Sequence, residues 1–359
     1  MIRKVVLLGP LPPPSGGVSV YMSLLLEHLR PEGARAWAYF GEPFRGEPGV
    51  SLFRHRRLGL VPLALREGRG ARVLDATHFH LEHPNPLLLG AWLACKLVLR
   101  FRWYKNILDG SLPSRQRGFS PLRRLLFRLA LGAADEFVVV SEELRRWLKD
   151  ELRVRQKVSV VPCLLPVPRR HAEGPLSGRL ESELRPYLER RRRVCSAGVF
   201  TGDYGFADAA RAVERLRDET GEDIGLLLLD GAFARDEAYH ASVLGGREWI
   251  TVLESVPNPS VYKIMRRADA FVRATRREGY GISRVEAAWC GLPVVATGVG
   301  ETRGMLTYEF GDVDGLTAQL RRALYDPAAR DVGAWAGRFG REAEENLASL
   351  REILGLEEK

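Results

Sequence analysis

Apolar positions along the chain fall into short blocks that alternate between two periods. Residues 5–8 are an unbroken apolar run of strand length, and Val18, Met22, Leu25, Leu26 and Leu29 recur at helical spacing across residues 18–29. A proline- and glycine-rich turn, GPLPPPSGG, separates the two. The alternation continues with a strand at 73–76, an apolar helix from Leu87, a strand running to Ile107 and a helix at 121–130. In DEFVVVSEELRRWLKDE, residues 137–140 predict a strand, Ser141 is suited to an N-cap, and Leu144 opens the apolar face of the next helix. Residues 158–161 predict one more strand, cut off by Pro162.

A second series of the same kind begins at RRVCSAGVF. It predicts helix 206–220, strands 225–230 and 249–253, helix 259–268, strand 270–272, helix 281–289 and strand 293–296. Strands alternating with single helices imply right-handed crossovers and parallel sheets, hence an α/β protein. Residues 166–193, rich in proline, charge and glycine, read as a linker between the two series. With 359 residues, the chain exceeds the roughly 250–300 at which a single core stops growing, so two domains are expected. Ligands of such sheets bind at the carboxyl ends of the strands, which places the expected site in a cleft between the two sheets.

The apolar fraction of 45% and charged fraction of 28% exclude a disordered chain. A formal charge of +9, carried mostly by arginine, favours phosphate-bearing ligands or an anionic membrane face. Nucleic acid is not expected, because no finger, helix-turn-helix or aromatic-and-basic strand motif accompanies the charge. Cys95, Cys163, Cys195 and Cys290 lack ligand spacing and read as buried free thiols. The stretch from residue 86 to 101 is too short and too charged to span a bilayer and reads as a buried helix running toward a strand. Peripheral membrane contact through this basic and apolar region stays open. His78, His80 and His83 lie within six residues, with His78 and His80 on one side of an extended strand, but no ligand set completes a metal site.

The sharpest chemistry lies in RREGYGISRVEAAWCGLPVVATGVGETRG. Glu278 and Glu286 stand eight positions apart, with GYG between them and the second carboxylate on a helix among Val285, Ala287 and Ala288. A carboxylate in apolar surroundings needs a partner, and paired hydroxyls of a ligand would serve.

This segment resembles the signature of the large retaining glycosyltransferase family with the GT-B fold, which uses sugar nucleotides without a tightly bound metal. DEFVVVSEEL, VSVVPCLLP and YKIMRRADAFVRATRREGYG follow in family order. The resemblance implies two Rossmann-like domains, an acceptor-side one at 1–165 and a nucleotide-sugar-binding one at 194–340, with a C-terminal helix at 341–359 packing back on the first. It implies that Glu278 contacts the donor sugar, that Glu286 holds the ribose hydroxyls, and that Gly279, Tyr280 and Gly281 offer backbone amides to the sugar and phosphates. Gly16 and Gly17 resemble the paired glycines that let a helix N-terminus approach a diphosphate or the acceptor. Thr201 and Arg276 would also face the donor, and Asp109 stands where a histidine often orients the acceptor.

Several positions depart from the family pattern. Val199 and Tyr204 occupy the places of an arginine and a lysine that neutralise the diphosphate, Cys163 and Leu164 replace an asparagine and a glycine, and Glu301 and Gly304 are displaced. Either another cation takes over, with Arg276, Arg277, Arg284 and Arg303 as candidates, or the fold persists without the reaction. The expected function is transfer of a sugar from a UDP- or GDP-linked donor to an acceptor hydroxyl, in the cytoplasm or at the inner face of the membrane. The alternative is a non-catalytic module that binds sugars or sugar nucleotides.

Overall fold

The computed structural model describes residues 4–53, 59–81, 83 and 85–356. It divides into two compact units, Met1–Leu165 with Glu344–Lys359, and Pro166–Ala343.

The first unit is built on seven parallel strands: β1 (Val5–Pro10), β2 (Arg35–Tyr39), β3 (Val50–Leu52), β4 (Arg72–Asp75), β5 (Arg102–Ile107), β6 (Glu136–Val139) and β7 (Lys157–Val160). Their order is β3-β2-β1-β4-β5-β6-β7. Every residue of β1 and β6 is buried. Both sheet faces are covered by crossover helices, which is why these strands run apolar without alternation. Ser141 caps the helix after β6 by accepting a hydrogen bond from the Leu144 amide, as its position predicts. Leu347, Leu350 and Leu354, from the end of helix Gly333–Leu354, join the core formed by β1 and helix Gly17–Leu29. Asn346 donates to the Leu164 carbonyl at 3.0 Å, and Arg351 pairs with Glu32 at 2.7 Å.

The second unit has six parallel strands: β8 (Arg192–Phe200), β9 (Ile224–Arg235), β10 (Ile250–Glu254), β11 (Ala270–Arg273), β12 (Val294–Thr297) and β13 (Leu306–Tyr308). The order is β10-β9-β8-β11-β12-β13. The chain direction across the sheet reverses between β8 and β11, the switch point where open α/β sheets bind ligands. Helix Phe206–Thr220 follows β8 and buries Phe206, Val213 and Leu216 against Phe200.

Several expectations change. Residues 166–193 are not a plain linker: they hold helices Arg169–Ala172 and Gly178–Leu188 and belong to the second unit. Leu180, Leu184 and Tyr187 bury one face of the longer helix, a periodicity hidden among charges. Residues 43–65 contain β3 and the start of helix Leu60–Glu67, and 54–58 among them lie outside the described residues. Strand β4 stops at Asp75, so His78 and His80 are not on a strand. His80 is fully buried, and its Nδ1 lies 2.9 Å from Asp75 Oδ2. Asp75 also accepts from Trp103 Nε1 at 3.0 Å and lies 3.4 Å from Lys105 Nζ. Burial works to raise its pKa, but the Lys105 charge and the His80 contact outweigh that and lower it. The His80 ring is thus a structural element of this core.

Candidate active site

Strand β11 reads Ala270, Phe271, Val272, Arg273, three apolar residues and then a cation at the carboxyl end beside the switch point. An arginine there can reach ligands at the sheet edge only if its stem is buried, and Arg273 is 9% exposed. Its Nε and Nη2 donate to Glu278 Oε2 at 3.0 and 2.8 Å. Its Nη1 donates to the Ala197 carbonyl on β8, and its guanidinium lies 4.9 Å from the centre of the Tyr204 ring. That ring rests on Gly198, where a Cβ would come within 2.5 Å of it. The glycine therefore makes room for the tyrosine, and the tyrosine supports the cation.

Glu278 sits in the loop between β11 and helix Ile282–Trp289. Gly281, with φ +86°, precedes that helix in the left-handed region, and a Cβ there would lie 3.1 Å from Glu278 Cγ. The first helical turns carry Glu286 inward, where it is 5% exposed and accepts a hydrogen bond from the Tyr262 hydroxyl at 2.7 Å. Burial raises its pKa to about 7, while the Tyr262 hydrogen bond and the Arg273 charge act to lower it. A carboxyl group with such a pKa changes charge near neutrality.

Of the four arginines expected to supply a phosphate-facing charge, three pair away from Glu278 and one, Arg284, is buried beside it. Arg276 and Arg277 pair with Asp203 at 3.5 and 2.9 Å, and both are well exposed. Arg303 forks onto Glu301 and Glu342. Arg284 is fully buried: Nη1 donates to the carbonyls of Thr297, Val299 and Glu301 at 3.3, 2.5 and 3.3 Å, and Nη2 to Thr275 Oγ1 at 3.2 Å. Burial lowers its pKa to about 10. It holds the loop after β12 against the site. The expected Arg284 lies with Nη2 3.8 Å from Glu278 Oε2, whereas Arg273, which the sequence reading did not single out, makes the direct fork onto Glu278 and also acts on Glu286. Its signal was an arginine ending an otherwise apolar central strand, a place where burial cost demands a carboxylate partner.

The remaining candidates are placed as follows. Thr201 lies in the tight turn after β8, where its carbonyl accepts from the Tyr204 amide at 3.0 Å. Gly279 and Tyr280 continue the loop from Glu278, and the Tyr280 carbonyl accepts from the Glu301 amide at 2.9 Å. Gly16, Gly17 and Asp109 belong to the first unit. Gly16 is the N-cap of helix Gly17–Leu29, and its amide donates to Ser19 Oγ at 3.0 Å. Asp109 accepts from the Ser111 amide at 2.7 Å and pairs with Arg115, so its carboxylate also organises its own turn.

Gly205 opens helix Phe206–Thr220 with φ +59°, and a Cβ there would fall 2.1 Å from the Ala274 carbonyl oxygen. This close approach keeps the turn after β8 against the end of β11. Gly205→Ala is expected to cost about 2 kcal/mol or more through the left-handed backbone and the clash, read as a lowered melting temperature.

Two family models match the chain, one described as Glycosyltransferase Family 4 over residues 15–167 and one as Glycosyl transferases group 1 over residues 185–331. The second contains Arg273, Glu278 and Glu286. The chain belongs to this glycosyltransferase family. Among curated relatives, it is 29% identical over 227 residues to a 2-deoxystreptamine glucosyltransferase of Streptomyces kanamyceticus, a match covering 61% of this chain and 58% of the relative. The chain thus matches under two-thirds of that relative's length. Solved structures show the GT-B fold. An alpha,alpha-trehalose-phosphate synthase (UDP-forming) from Burkholderia xenovorans, in complex with glucose-6-phosphate, superposes with TM-score 0.74 at 13% identity, covering 99% of this chain and all of that one. Anabaena HepE in complex with UDP and glucose gives TM-score 0.67 at 15% identity, covering 97% of this chain and all of that one. Val199 is a buried core residue, and Tyr204 is a platform beneath Arg273. Of the two departures from the family pattern, Tyr204 thus supports Arg273, one of two buried arginines next to Glu278, the other being Arg284.

Proposed function

We propose that the protein is a retaining glycosyltransferase that moves a sugar from a nucleoside diphosphate sugar, UDP- or GDP-linked, to an acceptor hydroxyl on a glycan, a lipid-linked sugar or a small molecule. The observation that carries this reading is the Arg273–Glu278 pair at the carboxyl end of β11, with Glu286 on the helix that follows. Departure of the diphosphate places negative charge on the leaving oxygens and leaves an oxocarbenium-like sugar. Arg273 is the group to receive that charge, together with the amides of Gly279, Tyr280 and Gly281. Glu278, released from Arg273 as the phosphates bind, orients the sugar, and Glu286 accepts hydrogen bonds from the ribose hydroxyls. Thr201 and Arg276 border the donor, Gly16 and Gly17 allow close approach in the first unit, and Asp109 orients or deprotonates the acceptor. No tightly bound cofactor or metal enters this scheme. Supply of nucleotide sugars places the reaction in the cytoplasm.

A second reading, a binding module without catalysis, draws on the same pair: if Glu278 keeps Arg273 when a donor is bound, that guanidinium does not meet the phosphates. Calorimetric titration with uridine, guanosine and adenosine diphosphate sugars, repeated on Glu286→Ala, tests the proposal. One donor is expected to bind saturably and to weaken in the variant. Absence of binding to every donor overturns it. Binding without transfer to any member of an acceptor panel favours the module.

A further inference from the structure

Among the described residues, nine large apolar side chains are exposed, and six of them belong to two helices of the first unit. Helix Pro86–Leu99 exposes Leu87, Leu97 and Val98, and helix Pro121–Ala133 exposes Leu122, Leu125 and Leu129, from 50% at Leu129 to 80% at Leu97. A helix packed on a domain core needs one apolar stripe. Helix Pro121–Ala133 already has one, in Leu126, Phe127, Ala130 and Leu131. Leu122, Leu125 and Leu129 form a second stripe at spacings of three and four on the solvent side. Scattered single leucines need no explanation, whereas two neighbouring exposed stripes mark an interaction surface. The two helices start side by side, since Arg123 Nη2 lies 3.4 Å from Nδ1 of His83, just before the first helix.

Charge selects the partner. From residue 85 to residue 134 the sequence has a single acidic residue, Asp109, and that one is paired with Arg115. Arg117, Arg124 and Arg128 are exposed around the second stripe, and Arg123 lies over the Phe119 ring with its guanidinium 4.0 Å from the centre. Leucines interleaved with arginines on one helix face are the composition of segments that lie in the interface of an anionic bilayer. A two-fold interface with a second copy would set these arginines against one another. No described helix is long and apolar enough to cross a membrane, so contact through this face would be peripheral.

We propose that the outer faces of helices Pro86–Leu99 and Pro121–Ala133 dock the protein on an anionic lipid surface, with Leu122, Leu125 and Leu129 entering the interface and Arg117, Arg124 and Arg128 meeting the headgroups. This inference does not depend on the transferase reading. The test is cosedimentation of the full chain with vesicles of phosphatidylcholine alone or of equimolar phosphatidylcholine and phosphatidylglycerol. Binding is expected only with the anionic vesicles and weakens as salt is added. Leu122→Ser/Leu125→Ser/Leu129→Ser and Arg124→Glu/Arg128→Glu are each expected to reduce it about tenfold or more. Because the changed side chains are exposed, melting temperatures should stay close to the parent's. No binding to anionic vesicles, equal binding to both kinds, or binding unchanged in both variants overturns the proposal. A concentration-dependent dimer in sedimentation velocity that the leucine variant abolishes, without vesicle binding, assigns the face to a second copy and overturns it equally.

Discussion

Replacing Arg273 with methionine is expected to destabilise the second unit by about 3 kcal/mol and to lower kcat for sugar transfer by roughly 10²–10³. The stability loss follows from geometry. Methionine fills the stem's volume but removes both hydrogen bonds to the Glu278 carboxylate, only 16% exposed, leaving it Arg284 at 3.8 Å as its cation, and leaves the Ala197 carbonyl without that donor. The Arg273→Met/Glu278→Gln double variant removes the stranded charge, so it should recover most of the melting temperature while transfer stays impaired. Arg273→Lys keeps the charge and loses the fork that spans Glu278 and β8, and an intermediate value is expected in both readouts. Thermal denaturation and steady-state kinetics on the three variants separate the roles. Full activity in Arg273→Met would make the arginine a structural tie alone.

The second large effect concerns Glu286 and pH. Burial sets its folded pKa at about 7, above the usual 4.5, so the native state holds this proton more tightly than the unfolded chain does. Its stabilising contribution is therefore complete below about pH 4.5, falls as pH rises toward about 7, and is constant beyond. Glu286→Gln keeps an oxygen for the Tyr262 hydroxyl but carries no charge at any pH. The variant should lack this decline and, at pH 8 without ligand, exceed the parent by on the order of 3 kcal/mol. Donor binding should move the opposite way. In the proposed donor complex it is the ionised Glu286 that accepts the two ribose hydroxyls, so on that proposal parental affinity should rise between about pH 6 and 8, whereas the variant should bind roughly 10–100-fold more weakly at pH 8 and show no such rise. Urea denaturation across pH and calorimetry at pH 6 and 8 provide both readouts. A parent whose stability does not fall over this range would show that Glu286 is ionised throughout.

These expectations rest on residues of unequal legibility. Glu278 and Glu286 stood out because carboxylates interrupt an otherwise small and apolar segment. Arg273 did not, because one arginine at the end of a strand is indistinguishable in sequence from an exposed edge residue until the strand is known to be central. The four arginines singled out in its stead lie as close in sequence, yet each meets a carboxylate or a set of carbonyls brought by another segment: Asp203, Glu342, or the loop after β12. Strand β2, with the sequence Arg35, Ala36, Trp37, Ala38, Tyr39, went unnoticed because its alanines give little strand preference. The pairing with β1 supplies what propensity does not. Helix Gly178–Leu188 was hidden in the same way, its three buried residues diluted by charge.

The alternation of central strands with helices in two series, the parallel sheets it implies, the turn glycines and the two glutamates were determined by the sequence alone. Apolar periodicity, capping residues and turn chemistry act over a few residues and need no distant partner. Tertiary structure decided which cation stands beside Glu278, that Tyr262 satisfies Glu286, that His80 belongs to a core, and that the leucines of residues 122–129 face outward. Each of those depends on groups distant in sequence, Ala197 and Tyr204 holding Arg273, Tyr262 meeting Glu286 and Trp103 closing the Asp75–His80 pair, or on which face of a helix the sheet claims. Local pattern leaves such matters open because a buried charge is stabilised only by the partner that long-range packing delivers.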